Sequence, residues 1–171
     1  MREMTENEVY YSSSKKFLQS NMYLTMPCGD FDRKDEAMAM AFDEYYGGSM
    51  NSVIFQEIRE FRSLGYSTYG TFNYSWFNLY PSSLDTYLGT QCDKTFDGID
   101  ALRELMLQFP EREEKFATSR DFLVKARNSN YVTFRTLPDA VRRWTEVYGY
   151  DQDPRPGYTE QIQNLQYSDI K

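Results

Sequence analysis

The sequence predicts an α+β fold, a two-layer sandwich in which a mainly antiparallel sheet carries helices packed on one face. Three observations lead there. Strand-like runs are few, the helical stretches are segregated from them, and the order reads strand, two helices, two strands, three helices. At 171 residues the chain has the length of one domain and can bury a sizeable core. No internal repeat, low-complexity tract or dividing linker interrupts it. Residues 1–171 are therefore expected to form a single domain.

The first strand is expected over Phe17–Met26, rich in aromatic and aliphatic residues and closed by Pro27 and Gly29. Asp32–Tyr46 follows as a helix. Acidic residues crowd its first turns, and Ala37, Met38, Ala41, Phe42 and Tyr45 recur at helical spacing. Gly47-Gly48 reads as its C-cap and a tight corner. A second helix, about Asn51–Arg62, places Ile54, Ile58 and Phe61 on one face and stops at Gly65.

The pattern then turns to strand. Tyr66–Tyr74 is dense in Tyr, Thr and Phe with Gly70 inside, and Leu84–Cys92 is its return partner. The connection around Asn78–Ser83 holds Pro81 and two serines. Helices complete the chain. Phe96–Phe109 repeats Ile99, Leu102, Met106 and Phe109 before Pro110 breaks it, and Glu111 to about Asn128 repeats Phe116, Leu123 and Ala126. Leu137–Tyr148 has Pro138 in its first turn and Val141, Trp144 and Tyr148 on one side. Asp151–Gly157, with Pro154 and Pro156, reads as a hinge before a short last segment, Tyr158–Leu165.

Composition removes whole classes of function. With 19 basic and 26 acidic residues the net charge is −7, which argues against a nucleic-acid or anionic-membrane partner. There is no histidine. That excludes Ser–His and Cys–His nucleophile pairs and every zinc site that needs imidazole, H-x-x-E-H and H-E-x-x-H included. Cys28 and Cys92 make neither a zinc site alone nor a C-x-x-C pair. Each follows a strand-like run and is expected to be small and partly buried, with a disulfide between them as the alternative. No apolar run approaches the roughly 20 residues of a membrane helix, and the start lacks a signal-peptide layout. The chain reads either as intracellular or as a piece of a longer protein. Asp30, Asp32 and Asp35 lack the glycine and terminal glutamate of a calcium loop and fit a helix start, as Glu111, Glu113 and Glu114 do. Gly47-Gly48 is no phosphate loop, because no Lys-Ser/Thr follows it.

One stretch, FDEYYGGSMNSVIFQEIREFRSLGYSTYGTF from Phe42 to Phe72, carries more than packing. It resembles the second, non-catalytic repeat of the pitrilysin/insulinase-type zinc peptidases, the group that includes the mitochondrial processing peptidases. Gly47, Gly48, Met50, Ser52, Phe55, Arg59, Leu64, Gly65 and Tyr66 fall on that pattern at its spacing. YLGTQCDKTFDGIDAL and FLQSNMYLTM are similar to further parts of the same repeat, and the likeness weakens after Asp151. The resemblance implies a repeat trimmed at both ends, with further strands before Val9 and a helix and strand after Lys171.

What the resemblance implies about chemistry is specific. Two related repeats or subunits close around a peptide. One bears H-x-x-E-H and binds zinc; this chain lacks those residues, so it is expected to hold no cofactor, the zinc belonging to a histidine-bearing partner repeat. The other half contributes an arginine and a tyrosine seven residues apart, which Arg59 and Tyr66 match. Arg59 is an always-charged multi-donor group near a helix end and Tyr66 a phenol opening the next strand. Folding back through Leu64-Gly65 would aim both at a peptide carbonyl and the oxyanion it becomes. Removing one such donor typically costs about 10²–10³ in rate. Without the resemblance, the same residues read as a solvated arginine and a packing tyrosine. Phe55, Tyr69 and Phe72 are expected in core packing, with lining of the chamber as the alternative, and Arg62 in solvent. Two other readings compete: a catalytically silent scaffold of the same fold, and a hydrolase with paired carboxylates, for which no acidic pair has a recognisable context.

Overall fold

The structure, a computed structural model, describes residues 7–75, 79–149 and 153–171. Along the chain lie strand β1 (Gln19–Gly29), helix α1 (Glu36–Asp43) running on into a π-helical turn (Glu44–Gly48), and a π-helix (Phe55–Phe61). Strands β2 (Gly65–Asn73) and β3 (Ser82–Gln91) follow. Helices α2 (Thr95–Leu107), α3 (Glu113–Ser129), α4 (Leu137–Tyr148), α5 (Arg155–Asn164) and α6 (Tyr167–Ile170) complete the order. The α+β class with an antiparallel sheet is the one expected. The described residues fall into two compact units: those up to Phe31 with Tyr46–Glu111, and Asp32–Tyr45 with Arg112–Lys171.

The first unit holds the sheet, in the order β1-β3-β2, antiparallel throughout. Side chains alternate across a strand. On β3, Leu84, Thr86, Leu88 and Thr90 are buried on the helix-bearing side. The other face carries Tyr23, Tyr87 and Tyr69, which the register aligns. Their ring centroids are 4.9 and 5.2 Å apart, and the Tyr87 hydroxyl donates to Asn21 Oδ1 at 2.9 Å. Such cross-strand pairs contribute about 0.2–1 kcal/mol each. Helix α2 buries Gly98, Ala101, Leu102 and Leu105, so its inner line runs beside the expected one and leaves Ile99 at the rim. Tyr46 is buried, donates to Leu105 O at 3.0 Å and stacks on Phe109.

Two expectations fail here for physical reasons. Ile54 and Ile58 are buried, but Phe61 is 62% exposed. The segment is wound with i→i+5 bonds, Arg62 N–H donating to Glu57 O at 3.2 Å. Each residue therefore advances less around the axis than in an α-helix, and Phe61 is carried off the inner face. Cys28 and Cys92 are free and exposed, not partly buried. The register pairs Gln19 with Gln91 and Pro27 with Ser83. The two cysteines therefore sit just beyond opposite ends of that ladder, about 30 Å apart at ~3.3 Å per residue. A disulfide needs Cα atoms within about 7 Å.

The second unit is helical. Tyr45 is buried with its ring edge-on to Phe116 and Tyr167, both at 6.0 Å. Ile162 of α5 and Ile170 of α6 are also buried. In α3 the inward positions are Phe116 and Ser119, while Ala126, expected inside, is exposed. Helix α4 has the expected bounds, but its Val141, Trp144 and Tyr148 face is only half-buried. Helix α5 starts at Arg155 rather than Tyr158, because Pro156 fits a first helical turn. Of the expected hinge, residues 151 and 152 lie outside the described residues, as does Asn78 of the earlier loop. Helix α6 is too short for a periodic signal and rests on a capping box between Gln166 and Asp169.

A carboxylate is buried in this unit. Glu36, fully inaccessible, accepts from the Tyr148 hydroxyl at 3.1 and 3.2 Å and the Tyr158 hydroxyl at 3.0 Å, with Arg33 at 3.7 Å. The contacts tie α1 to α4 and α5. Removing one donor from a buried charge costs about 1–3 kcal/mol. Tyr158→Phe is expected to lose that much in urea unfolding at pH 7; an unchanged midpoint would show that the hydroxyl is not needed by Glu36.

Candidate functional site

The site is built by the segment from Gly47 to Ser67, within the first unit. Gly47 is the reason the chain at residues 46–48 can close against β2. A Cβ at this position would lie 2.1 Å from Gly70 O and 2.4 Å from Gly70 Cα, so the backbones of the π-helical turn and β2 touch where both residues lack side chains. The glycine pair read as a corner is thus also a backbone-to-backbone contact. Buried Ser52 then starts the next helix, its Oγ accepting from Phe55 N at 3.4 Å. Val53, Ile54 and Ile58 anchor that helix inward.

At its end the chain reverses. Leu64 N–H donates to Ile58 O at 3.0 Å, and Ser63 adopts a left-handed backbone with φ 50°. The register with β3 then slips: Gly65 faces Thr90 and Ser67 faces Gly89. Tyr66 is the extra residue of this β-bulge, a device that re-aims a side chain. It is 82% exposed.

The reversal brings Arg59 and Tyr66 together. The guanidinium carbon lies over the Tyr66 ring, 4.5 Å from its centroid, and over the Phe55 ring at 4.8 Å. Arg59 Nε is 3.5 Å from Glu60 Oε1. The contact sets the cation over the ring face, not the two polar tips at one point as expected. Aromatic contact covers the cation's face, which leaves its N–H edge and the phenol hydroxyl as donors.

Neighbouring residues sort differently from expectation. Arg62 is not merely solvated: it pairs with Glu104 at 2.8 Å. That hydrogen bond raises the Arg62 pKa and lowers that of Glu104. Phe72 is half-buried against Phe31, at 5.9 Å, and Tyr74. Tyr69, expected in the core, stands on the exposed face of the sheet beside Tyr87. Phe55, expected in core packing with lining of the chamber as the alternative, is half-buried and touches Arg59. The signal was present as an aromatic residue four positions before an arginine on a helix. Among the described residues, no three His, Cys, Asp or Glu side chains cluster to hold a metal ion. With no histidine in the chain, these residues do not fit a catalytic zinc. No described helix is long and apolar enough to cross a membrane.

Comparison with known proteins concerns the fold. A chain of the peptidase M16 inactive domain from Pseudomonas fluorescens superposes with TM-score 0.69 at 16% identity, covering 90% of this chain and 37% of that one. A conserved protein from Enterococcus faecalis V583 gives 0.60 at 16%, covering 89% and 35%. A chain of Complex III2 from Candida albicans, solved with Inz-5 bound, gives 0.63 at 11%, covering 92% and 40%. No curated protein matches. The shared feature is the α+β fold, and this chain spans less than half the length of the solved chains it resembles. Residues 4–122 match the model of the peptidase M16 inactive domain, and the chain belongs to that family.

Proposed function

We propose that residues 1–171 act as one non-catalytic repeat of a zinc-dependent endopeptidase. In this reading they complete a substrate chamber with a histidine-bearing repeat, in the same chain or in a separate subunit. Zinc and water activation belong to that partner. Arg59 and Tyr66 offer donors to the peptide and to the oxyanion that forms when its carbonyl is attacked. The observation that supports this most is the bulge and reversal that set Tyr66 under Arg59 on an exposed edge of a chain with no histidine.

The test uses the parent protein with its catalytic half and an unstructured peptide. Arg59→Ala is expected to lower kcat/KM at least tenfold, in line with about 1.5–3 kcal/mol for a charged hydrogen bond. Tyr66→Phe, which keeps the ring and removes only the hydroxyl, should fall less. Unchanged kcat/KM in both variants overturns the proposed roles. Stoichiometric zinc binding by the isolated chain contradicts the division of labour.

A catalytically silent scaffold is the second reading, favoured by the likeness of fold to a chain of Complex III2. It predicts that no H-x-x-E-H repeat is encoded beside this one, and that Arg59→Ala leaves assembly with its partner intact.

A further inference from the structure

We propose that Phe55 is a positioning residue for Arg59: with Tyr66 it forms an aromatic clamp that holds the guanidinium in one orientation. The inference rests on the substrate-contact reading given above and adds a residue to it.

The geometry carries it. Arg59 Cζ lies over two ring faces at once, 4.8 Å from Phe55 and 4.5 Å from Tyr66. The rings come from opposite sides of the reversal, Phe55 from the start of the π-helix and Tyr66 from the bulge that opens β2. A free arginine samples many rotamers, and ordering it on binding costs affinity. An arginine already held by two rings has met that cost during folding. With its carbon over the two rings, the guanidinium keeps its N–H donors at the rim, where they can meet a carbonyl oxygen. Of the charged neighbours, Glu60 at 3.5 Å from Nε takes one side of that rim, and the terminal nitrogens carry the remaining donors.

The same geometry divides the work of Tyr66. Its ring belongs to the clamp and its hydroxyl to the substrate, so Tyr66→Phe tests only the second. Phe55 is half-buried, whereas Ile54 and Ile58 on either side of it in sequence are fully buried. A purely structural phenylalanine in this helix would be expected on their face.

Two measurements test the clamp. In the isolated chain, ring currents should move the Arg59 Hδ and Hε resonances upfield of their ordinary positions. Phe55→Leu should return them part of the way, and Phe55→Tyr should keep them shifted. Unshifted Arg59 resonances in the wild-type chain overturn the proposal without any variant having to fold. In the parent enzyme, Phe55→Leu is expected to lower kcat about fivefold with KM within twofold, Phe55→Tyr to restore it, and Phe55→Leu to add nothing to Arg59→Ala. Multiplying effects in the double variant, or no rescue by tyrosine, overturn it. If Arg59→Ala itself leaves kcat/KM unchanged, the substrate-contact reading fails, and the resonance shifts still decide whether the clamp exists.

Discussion

Gly47→Ala is expected to be among the most destabilising single substitutions in the chain, far beyond what a methyl group normally does on a helix. The added Cβ would fall 2.1 Å from Gly70 O and 2.4 Å from Gly70 N and Cα. Overpacked side chains relax by rotating. Here the obstructing atoms are backbone, fixed in the ladder where Gly70 pairs with Thr86 of β3. The turn would have to lift off the strand, pulling on buried Tyr46, Val53 and Ile54. Overpacking costs about 1–3 kcal/mol where side chains can yield, so about 3 kcal/mol or more is expected. For a chain of this size that is a fall in Tm of about 6–12 °C.

Two neighbours serve as controls. Gly48 is exposed and its φ is not positive, so Gly48→Ala should stay within about 1 kcal/mol of the parent. Gly70→Ala meets the Ile54 side chain at 2.5 Å and the Tyr46 ring at 3.2 Å. A side chain can yield where a backbone cannot, so its cost should be smaller than that of Gly47→Ala and partly relieved by Ile54→Val. A Gly47→Ala protein that melts within 2 °C of the parent would show that the close approach is not maintained.

This contact also shows where local reading stops. The spacing of Ile54 and Ile58, the acids ahead of α1 and the glycines at the corner are properties of neighbouring residues, and they were legible. The partner of Gly47 lies on a strand that reaches it only after the chain has folded back, so its identity is a tertiary fact. The π winding of Phe55–Phe61 differs from an α-helix by one residue in the hydrogen-bond step, too little for the pattern of apolar residues to reveal, and Phe61 was misplaced as a result. The Tyr66 bulge has the same effect on β2. One extra residue shifts the alternation, so a run rich in aromatics does not disclose which of them face water, and Tyr69 stands exposed where core packing is the simpler expectation. The candidate pair itself came from the resemblance of a whole stretch, because an arginine and a tyrosine seven apart carry no signal alone. That the guanidinium carbon lies over the Tyr66 ring and the Phe55 ring needed the geometry of the reversal.

The second large effect expected is on stability above pH 10, and its origin is the chain's buried phenols. Tyr45 and Tyr46 are adjacent and both fully buried. Burial pushes their pKa values well above the ordinary range. Burial also raises Tyr148, to about 12, and Tyr158, which additionally shares hydrogen bonds with Tyr148 and Glu36. Raised folded-state pKa values mean that these phenols favour folding fully while the unfolded chain's phenols are still protonated, below about pH 10. Above that pH the unfolded chain releases protons that the native protein keeps. Stability then falls as pH rises, until the native phenols themselves ionise.

Counting only the two inaccessible tyrosines, the limiting slope is about 2.7 kcal/mol per pH unit. Because the unfolded phenols are only half ionised at pH 10, a rise from pH 10 to 11.5 would remove roughly 3 kcal/mol, a large part of the ~5–15 kcal/mol that small proteins possess. Urea unfolding at pH 8, 10 and 11 should show little change over the first interval and a steep loss over the second. Phenolate absorbance should rise together with the loss of helix. Tyr45→Phe removes one titrating group, and its stability curve should fall less steeply, converging on the parent's at high pH even if it starts lower. Equal slopes in the two proteins, or a stability that stays level to pH 11, would mean that these hydroxyls are not held from solvent as their burial requires.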